Sequence, residues 1–94
     1  MCIGILDHGD KLIGFTRIIT DFIYKAIIFD VIVSAEHRGD GLGQKLMGLV
    51  KNHENLKKVK HFELYCLPDM ESFYESFGFS TDVGGIKLMR CINN

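Results

Sequence analysis

Ile27-Ile28-Phe29-Asp30-Val31-Ile32-Val33, followed after four residues by Arg38-Gly39-Asp40-Gly41-Leu42-Gly43, decides how this chain folds. The first stretch is a short apolar run broken only by Asp30, and the second opens an amphipathic run from Leu42 to Val50. The chain therefore turns from strand to helix between them. Glycines at 39, 41 and 43 let backbone N–H groups approach a ligand closely. The first turn of a helix leaves its own N–H groups unpaired and partly positive, which suits an anion. The junction is a candidate phosphate cradle.

Outward from that junction the elements follow from pattern. Cys2–Leu6 and Lys11–Thr20 flank the polar turn signal Asp7-His8-Gly9-Asp10 and predict an antiparallel hairpin. A second turn at Asp21–Lys25 leads into the strand Ala26–Ser34, whose apolar character on both faces suits a central strand covered on both sides. After the glycines, Leu42, Leu46, Leu49, Val50 and His53 recur at intervals of three or four and mark one helical face. Asn52–Lys60 is a polar connection, and His61–Cys66 alternates as a short strand, so strand, helix and strand imply a parallel crossover. Asp69 after Pro68 is a good N-cap for a helix whose stripe is Met70, Phe73, Tyr74 and Phe77 and whose end is Gly78. Gly84-Gly85 precedes a last edge strand, Ile86–Ile92.

At 94 residues, with 47% hydrophobic residues and one proline, the chain predicts one ordered domain spanning 1–94. A net charge of -1 gives no electrostatic case for nucleic acid. The cluster Lys51, Lys57, Lys58 and Lys60 is interrupted by Glu54 and reads as a solvated helix end. Met1–Leu6 lacks the pattern of a signal peptide, and no run approaches the roughly 18 apolar residues of a membrane span, so a cytoplasmic protein is expected. Cys2, Cys66 and Cys91 are odd in number and form no CxxC pair, against both a disulfide framework and a zinc site. Cys66 and Cys91 fall in apolar strand-like runs and are expected to be buried thiols. His8, His53 and His61 are scattered, with no acidic or histidine partner at ligand spacing, and no metal is expected.

A glycine-rich turn also serves simply as a turn, so the pattern must be tested against known phosphate motifs. It is not a P-loop, because no Ser or Thr follows Lys45, and not a dinucleotide fingerprint, because Leu46 stands where a third small residue is needed. What fits is RxxGxG, Arg38 with Gly41 and Gly43, after a strand and opening a helix. In this the sequence resembles the GCN5-related N-acetyltransferase superfamily, whose acyl-coenzyme A site uses a Q/RxxGxG/A loop at such a junction. Phe73-Tyr74-Glu75-Ser76-Phe77-Gly78-Phe79 is similar to the FYExxGF segment that many of these enzymes carry on a later helix. The resemblance runs from about Leu12 to the end. It implies an α/β (α+β) acyltransferase core, a mixed and mostly antiparallel sheet with two helices, in which two adjacent parallel strands splay. Family members usually begin with a strand and one or two helices before the hairpin, whereas this sequence starts at the hairpin.

The resemblance implies acetyl transfer from acetyl-coenzyme A, as cosubstrate, to a primary amine by direct attack in a ternary complex. The backbone of Val31, Ile32 and Val33 would meet the pantetheine arm. The amides of Arg38, Gly39, Asp40, Gly41, Leu42, Gly43 and Gln44 would wrap the pyrophosphate, with the Arg38 side chain either contacting phosphate or bracing the loop. Tyr74 would donate a proton to the departing thiolate, whereas its helical spacing alone favours a core aromatic. Asp30, a carboxylate in the middle of an apolar strand, must be paired or pay for desolvation, and is either a structural acceptor or the base that takes the amine's proton. Glu63 is an alternative base. His37 beside the loop reads as a solvent-exposed loop histidine within reach of a phosphate.

Two other readings fit the same residues: an acyl-coenzyme A binding module that transfers nothing, and a structural or partner-binding domain in which the glycines only make a turn. The acceptor would be a small molecule or a protein amine. An uncovered sheet face would favour a homodimer.

Overall fold

The structure, a computed structural model, describes residues 1–93. Strands β1 (Cys2–Leu6) and β2 (Leu12–Thr20) form the expected antiparallel hairpin. Asp7 closes its turn, Oδ1 accepting from the N–H groups of Gly9 (2.8 Å) and Lys11 (3.0 Å). The next turn is built the same way: Asp21 Oδ1 accepts from Ile23 (2.9 Å), Tyr24 (2.8 Å) and Lys25 (3.3 Å), and β3 (Lys25–Val33) returns antiparallel to β2. A short 3-10 turn, Ala35–His37, leads to helix α1 (Leu42–Lys51). Strand β4 (His61–Leu64) then lies parallel to β3. A 3-10 turn at Pro68–Met70 and helix α2 (Glu71–Glu75) follow. The sheet order is β1-β2-β3-β4, a mixed and mostly antiparallel sheet with two helices.

An irregularity in β3 sets which of its residues face the core. Arg17 pairs with Asp30 but Ile18 pairs with Ile28, so Phe29 is an extra residue on β3, a bulge. Before it, Ala26 and Ile28 point at α1 and are buried; after it, Val31 and Val33 take over that face and pack on the core clusters. Asp30 and Ile32 are turned to the other face by the same step.

The core lies on one side of the sheet. Leu46, Met47 and Val50 of α1 meet Ile5, Ile13, Ile18, Ala26 and Ile28, with Leu56 and Val59 closing the far end. The connection after α1 is thus not wholly polar, since two of its apolar residues anchor it. Leu49 is displaced from the expected helical face and stays 40% exposed, because it lies roughly 100° around the helix from the centre of the 46–47–50 face.

Several expectations are corrected. Strand β3 is not covered on both faces: Leu12, Ile19, Phe29 and Ile32 are exposed on the side away from α1. Asp69 makes no cap bond, because Pro68–Met70 takes a 3-10 turn and α2 starts only at Glu71; Gly78, at φ 92°, ends that segment as expected. Cys66 and Cys91 are exposed, as is Cys2, since β4 stops at Leu64 and the segment carrying Cys91 is no strand. Ile86–Ile92 forms none: Ile86, Leu88, Met89 and Ile92 are exposed after Gly84 and Gly85, both at positive φ. A Cα radius of gyration of 14.4 Å, against about 12 Å for a compact chain of this length, fits a final segment lying off the sheet.

Leu46→Ala removes a fully buried side chain from the α1–sheet seam and is expected to cost about 2–5 kcal/mol in chemical denaturation. The turn carboxylates give a pH dependence. Hydrogen bonds from Ile23 and Tyr24 lower Asp21 below its usual 3.8, and those from Lys11 and Gly9 lower Asp7. A depressed folded-state pKa means stability that is fully present above 3.8 and lost as pH falls through the folded value. The melting temperature should fall across that acid window. Asp21→Asn keeps the acceptor oxygen without the charge and should flatten part of the fall.

Candidate active site

Pairing between β3 and β4 ends at Ile28 and Leu64, yet β3 continues to Val33. From Phe29 onward its backbone has no strand on that side, and the two parallel strands part. A cleft of about 630 Å³ opens there. Val31, Ile32 and Val33 form one wall; His37, Arg38, Gly39, Gly41, Leu42, Gly43 and Gln44 form the end; Met70, Phe73 and Tyr74 of the α2 segment form the other wall. The structure thus gathers nine of the ten residues assigned from sequence to the acyl-coenzyme A cradle, with Tyr74 across from them.

The loop geometry comes from two glycines. Gly39 (φ 90°) and Gly41 (φ 78°) hold a left-handed backbone that a Cβ would strain. Gly41 is also the N-cap of α1 and offers no side-chain oxygen to the helix. The first intrahelical bond runs from the Lys45 N–H to the Gly41 carbonyl at 3.0 Å. The N–H groups of Leu42, Gly43 and Gln44 precede it and donate to no carbonyl among the described residues. Asp40 is the exception among the assigned residues. Its N–H is already donated to the His37 carbonyl at 3.3 Å, and it does not line the cleft, so the run of donors is broken there.

Among the residues lining the cleft, Arg38 alone carries a fixed positive charge, and none of the ion pairs among the described residues involves it. His37 is not the free loop residue expected: it lines the cleft, and its Nδ1 is shut from solvent without a hydrogen-bond partner.

Tyr74 stands half-buried, edge-on to Phe73 (5.0 Å between ring centres) and Phe79 (6.1 Å), and packs against the main core. Burial pushes its phenol above the usual 10.0, and the nearby Cys66 adds to that shift. The hydroxyl is therefore protonated throughout the physiological range. Tyr74 also borders a second cleft, about 640 Å³, along the outer side of β4 with Glu63, Cys66 and Glu71.

Asp30 is placed differently from its sequence reading. Its side chain is 40% exposed, lines neither cleft, and pairs with Arg17 Nε at 3.4 Å. Arg17 is held in turn over the Phe29 ring at 5.4 Å. The bulge that exposes Asp30 removes the desolvation expected of a covered central strand. Glu63 is half-exposed and paired with Lys25 at 3.3 Å. Sequence reasoning missed Met70 and Phe73 as cleft walls, having placed both in a helical core stripe; the available signal was Gly43, whose missing Cβ leaves room for a ring.

The geometry supplies amide donors and a cation at one end, an unpaired strand edge along one wall and a protonated phenol opposite. Such a cleft suits an extended ligand with an anionic terminus and a reactive group near Tyr74.

Comparison with known proteins agrees. The family model described as an acetyltransferase (GNAT) domain matches residues 2–81. An uncharacterized N-acetyltransferase, ycf52, from Gracilaria tenuistipitata var. liui is 35% identical over 78 residues, 83% of this chain and 43% of that protein. The chloroplastic GCN5-related N-acetyltransferase 2 of Arabidopsis thaliana is 34% identical over 84% of this chain and 31% of its own length. Among solved structures, a GNAT-family protein from Xanthomonas campestris pv. campestris superposes with a TM-score of 0.87 at 32% identity, covering 98% of this chain and 63% of that one. The chain spans less than half the length of these curated relatives.

Gly41→Ala forces a Cβ into the left-handed region and is expected to cost about 1–2 kcal/mol in denaturation. By disturbing the start of α1 it should also weaken the binding of a pyrophosphate-bearing ligand, measured by titration calorimetry.

Proposed function

We propose that this chain, which belongs to the acetyltransferase (GNAT) family, transfers an acetyl group from acetyl-coenzyme A to a primary amine. The observation that carries the reading is a single cleft that places Tyr74 across from the unbonded amides at the start of α1. The amides of Gly41–Gln44 and the side chain of Arg38 bind the pyrophosphate, each donor near the helix end worth about 0.3–1 kcal/mol. The peptide groups of Val31–Val33, free where β3 leaves β4, run along the pantetheine arm as a neighbouring strand would.

In the transfer step the amine nitrogen's lone pair attacks the thioester carbonyl carbon, a C–N bond forms, and the C–S bond breaks. Tyr74 gives its phenolic proton to the departing sulfur. Ordinary phenol and thiol values differ by about 1.5 pH units, or about 2 kcal/mol uphill, and burial of Tyr74 widens that gap. The proton therefore moves as the C–S bond breaks, not to a preformed thiolate. Asp30, adjacent in sequence to the cleft wall, takes the amine's proton through water.

A second reading, an acyl-coenzyme A binding module, is favoured by the placement of the two carboxylates: Asp30 and Glu63 are engaged in ion pairs with Arg17 and Lys25, and neither lines the cleft that holds the α1 amides. Two relatives are named chloroplastic, which puts a plastid beside the cytoplasm as a compartment for this chain.

Acetyl-coenzyme A at 100 times its Kd should stabilise the fold by about 2.7 kcal/mol, read as a rise in melting temperature. Absence of any rise at saturation would remove both readings. With the ligand bound, release of free thiol across a panel of amines separates transfer from binding. Tyr74→Phe is expected to lower kcat by about 10²-fold while leaving the thermal shift in place.

A further inference from the structure

We propose that the Phe73 ring, seated against the bare Cα of Gly43, is a positioning residue that fixes the spacing between the α1 amides and the Tyr74 hydroxyl. The inference rests on the role assigned above to Tyr74.

Helix α2 cannot place Tyr74 unaided. It spans five residues, contributes no fully buried side chain and has no side-chain cap, and so short a helix is not stable alone in water. Its position comes from what it rests on. A Cβ built on Gly43 would lie 3.1 Å from Phe73 Cζ and 3.3 Å from Cε1, so the tip of the ring occupies the space that any other residue at 43 would fill. Gly43 is itself one of the three residues of α1 whose amides have no carbonyl partner. The ring therefore touches the donor end of the cleft directly. Its other contacts run to the acid end: Tyr74 is the next residue and lies edge-on at 5.0 Å, and Phe77 supports the ring from behind at 5.3 Å. A displacement at either end passes to the other through one rigid ring.

The test is a cycle of Gly43→Ala, Phe73→Leu and the double variant in the full chain. Three quantities are read: Kd for coenzyme A, kcat for thiol release, and the phenol titration of Tyr74, taken as the difference from the matching Tyr74→Phe protein. Gly43→Ala pushes the ring outward and Phe73→Leu withdraws its tip; each should lower kcat about 10- to 100-fold and move the Tyr74 titration toward the ordinary value near 10. In the double variant the leucine makes room for the new methyl, so kcat and the titration should recover part of the way. Phe73→Tyr, which keeps the aromatic bulk but adds an oxygen at the contact atom, should behave like Gly43→Ala. Penalties that simply multiply in the double variant, or single variants with a Tyr74 titration unchanged from the parent, overturn the brace. If the parent protein binds coenzyme A but releases no thiol with any amine, the transfer reading fails. The titration arm then still decides the brace.

Discussion

The parting of β3 from β4 after the Ile28–Leu64 pair is the constraint on which the rest of the molecule depends. The parallel ladder has four pairs, Lys25–His61 to Ile28–Leu64, and it stops where Phe29 is inserted into β3 opposite β2. An inserted residue bends a strand and sharpens its twist, so β3 turns away from β4 while remaining paired with β2 to Gly14–Val33. The strand edge that a neighbour would have covered becomes one wall of the cleft. The same insertion turns Val31 and Val33 onto the core and Asp30 and Ile32 away from it, so one local irregularity decides both where a ligand can lie and which carboxylate is left in water.

The electrostatics of the cleft are correspondingly local. A net charge of -1 attracts no anion at a distance, and two cations near the sheet, Arg17 and Lys25, are paired with Asp30 and Glu63. What remains is the partial charge of unbonded amides and the guanidinium of Arg38. Dipoles of this kind act over the first turn of a helix and little beyond it, so affinity must come from close approach. Gly39 and Gly41 matter because only a backbone free to take positive φ brings those amides to the surface of the loop.

Much of this was legible in the chain itself, for reasons that differ by element. The first hairpin, β3, α1 and the glycine junction were readable because turn chemistry and periodicity act over a few residues, and Asp7 and Asp21 close their turns with their own carboxylates. The glycine turn itself was readable because three glycines in five positions mark a backbone that must take positive φ, as Gly39 and Gly41 do. Apart from the Asp69 cap, lost to a local 3-10 turn, and Leu49, off the buried face of its own helix, the main failures concern partners distant in sequence. Asp30 seemed buried because an apolar strand pattern cannot report that one face of the sheet lacks a second layer. Ile86–Ile92 is an apolar run of strand length after a glycine turn, but apolar character supplies no ladder, and the structure gives it none. Leu56 and Val59 looked like parts of a polar linker, although burial of both is what returns the chain to β4. The Phe29 bulge has no local signature; it exists only in the pairing of two strands.

The chain achieves a defined cleft with little material because its weak parts are held by one another. Helix α2 is too short to persist alone, and the first turn of α1 lacks a side-chain cap; each is stabilised chiefly by contact with the other or with the core. Lys51 ties them at a second point, its ammonium lying over the rings of Phe62 (5.3 Å) and Phe79 (5.7 Å) and reaching the Phe77 carbonyl at 3.5 Å. A ligand whose anionic end satisfies the α1 amides would supply the missing cap, and through Gly43 and Phe73 that cap is mechanically continuous with the wall carrying Tyr74. Ligand binding and stability of this half of the molecule are then the same free energy measured in two ways. A chain with so small a core should therefore order the wall carrying Tyr74 most completely when an anion satisfies those amides.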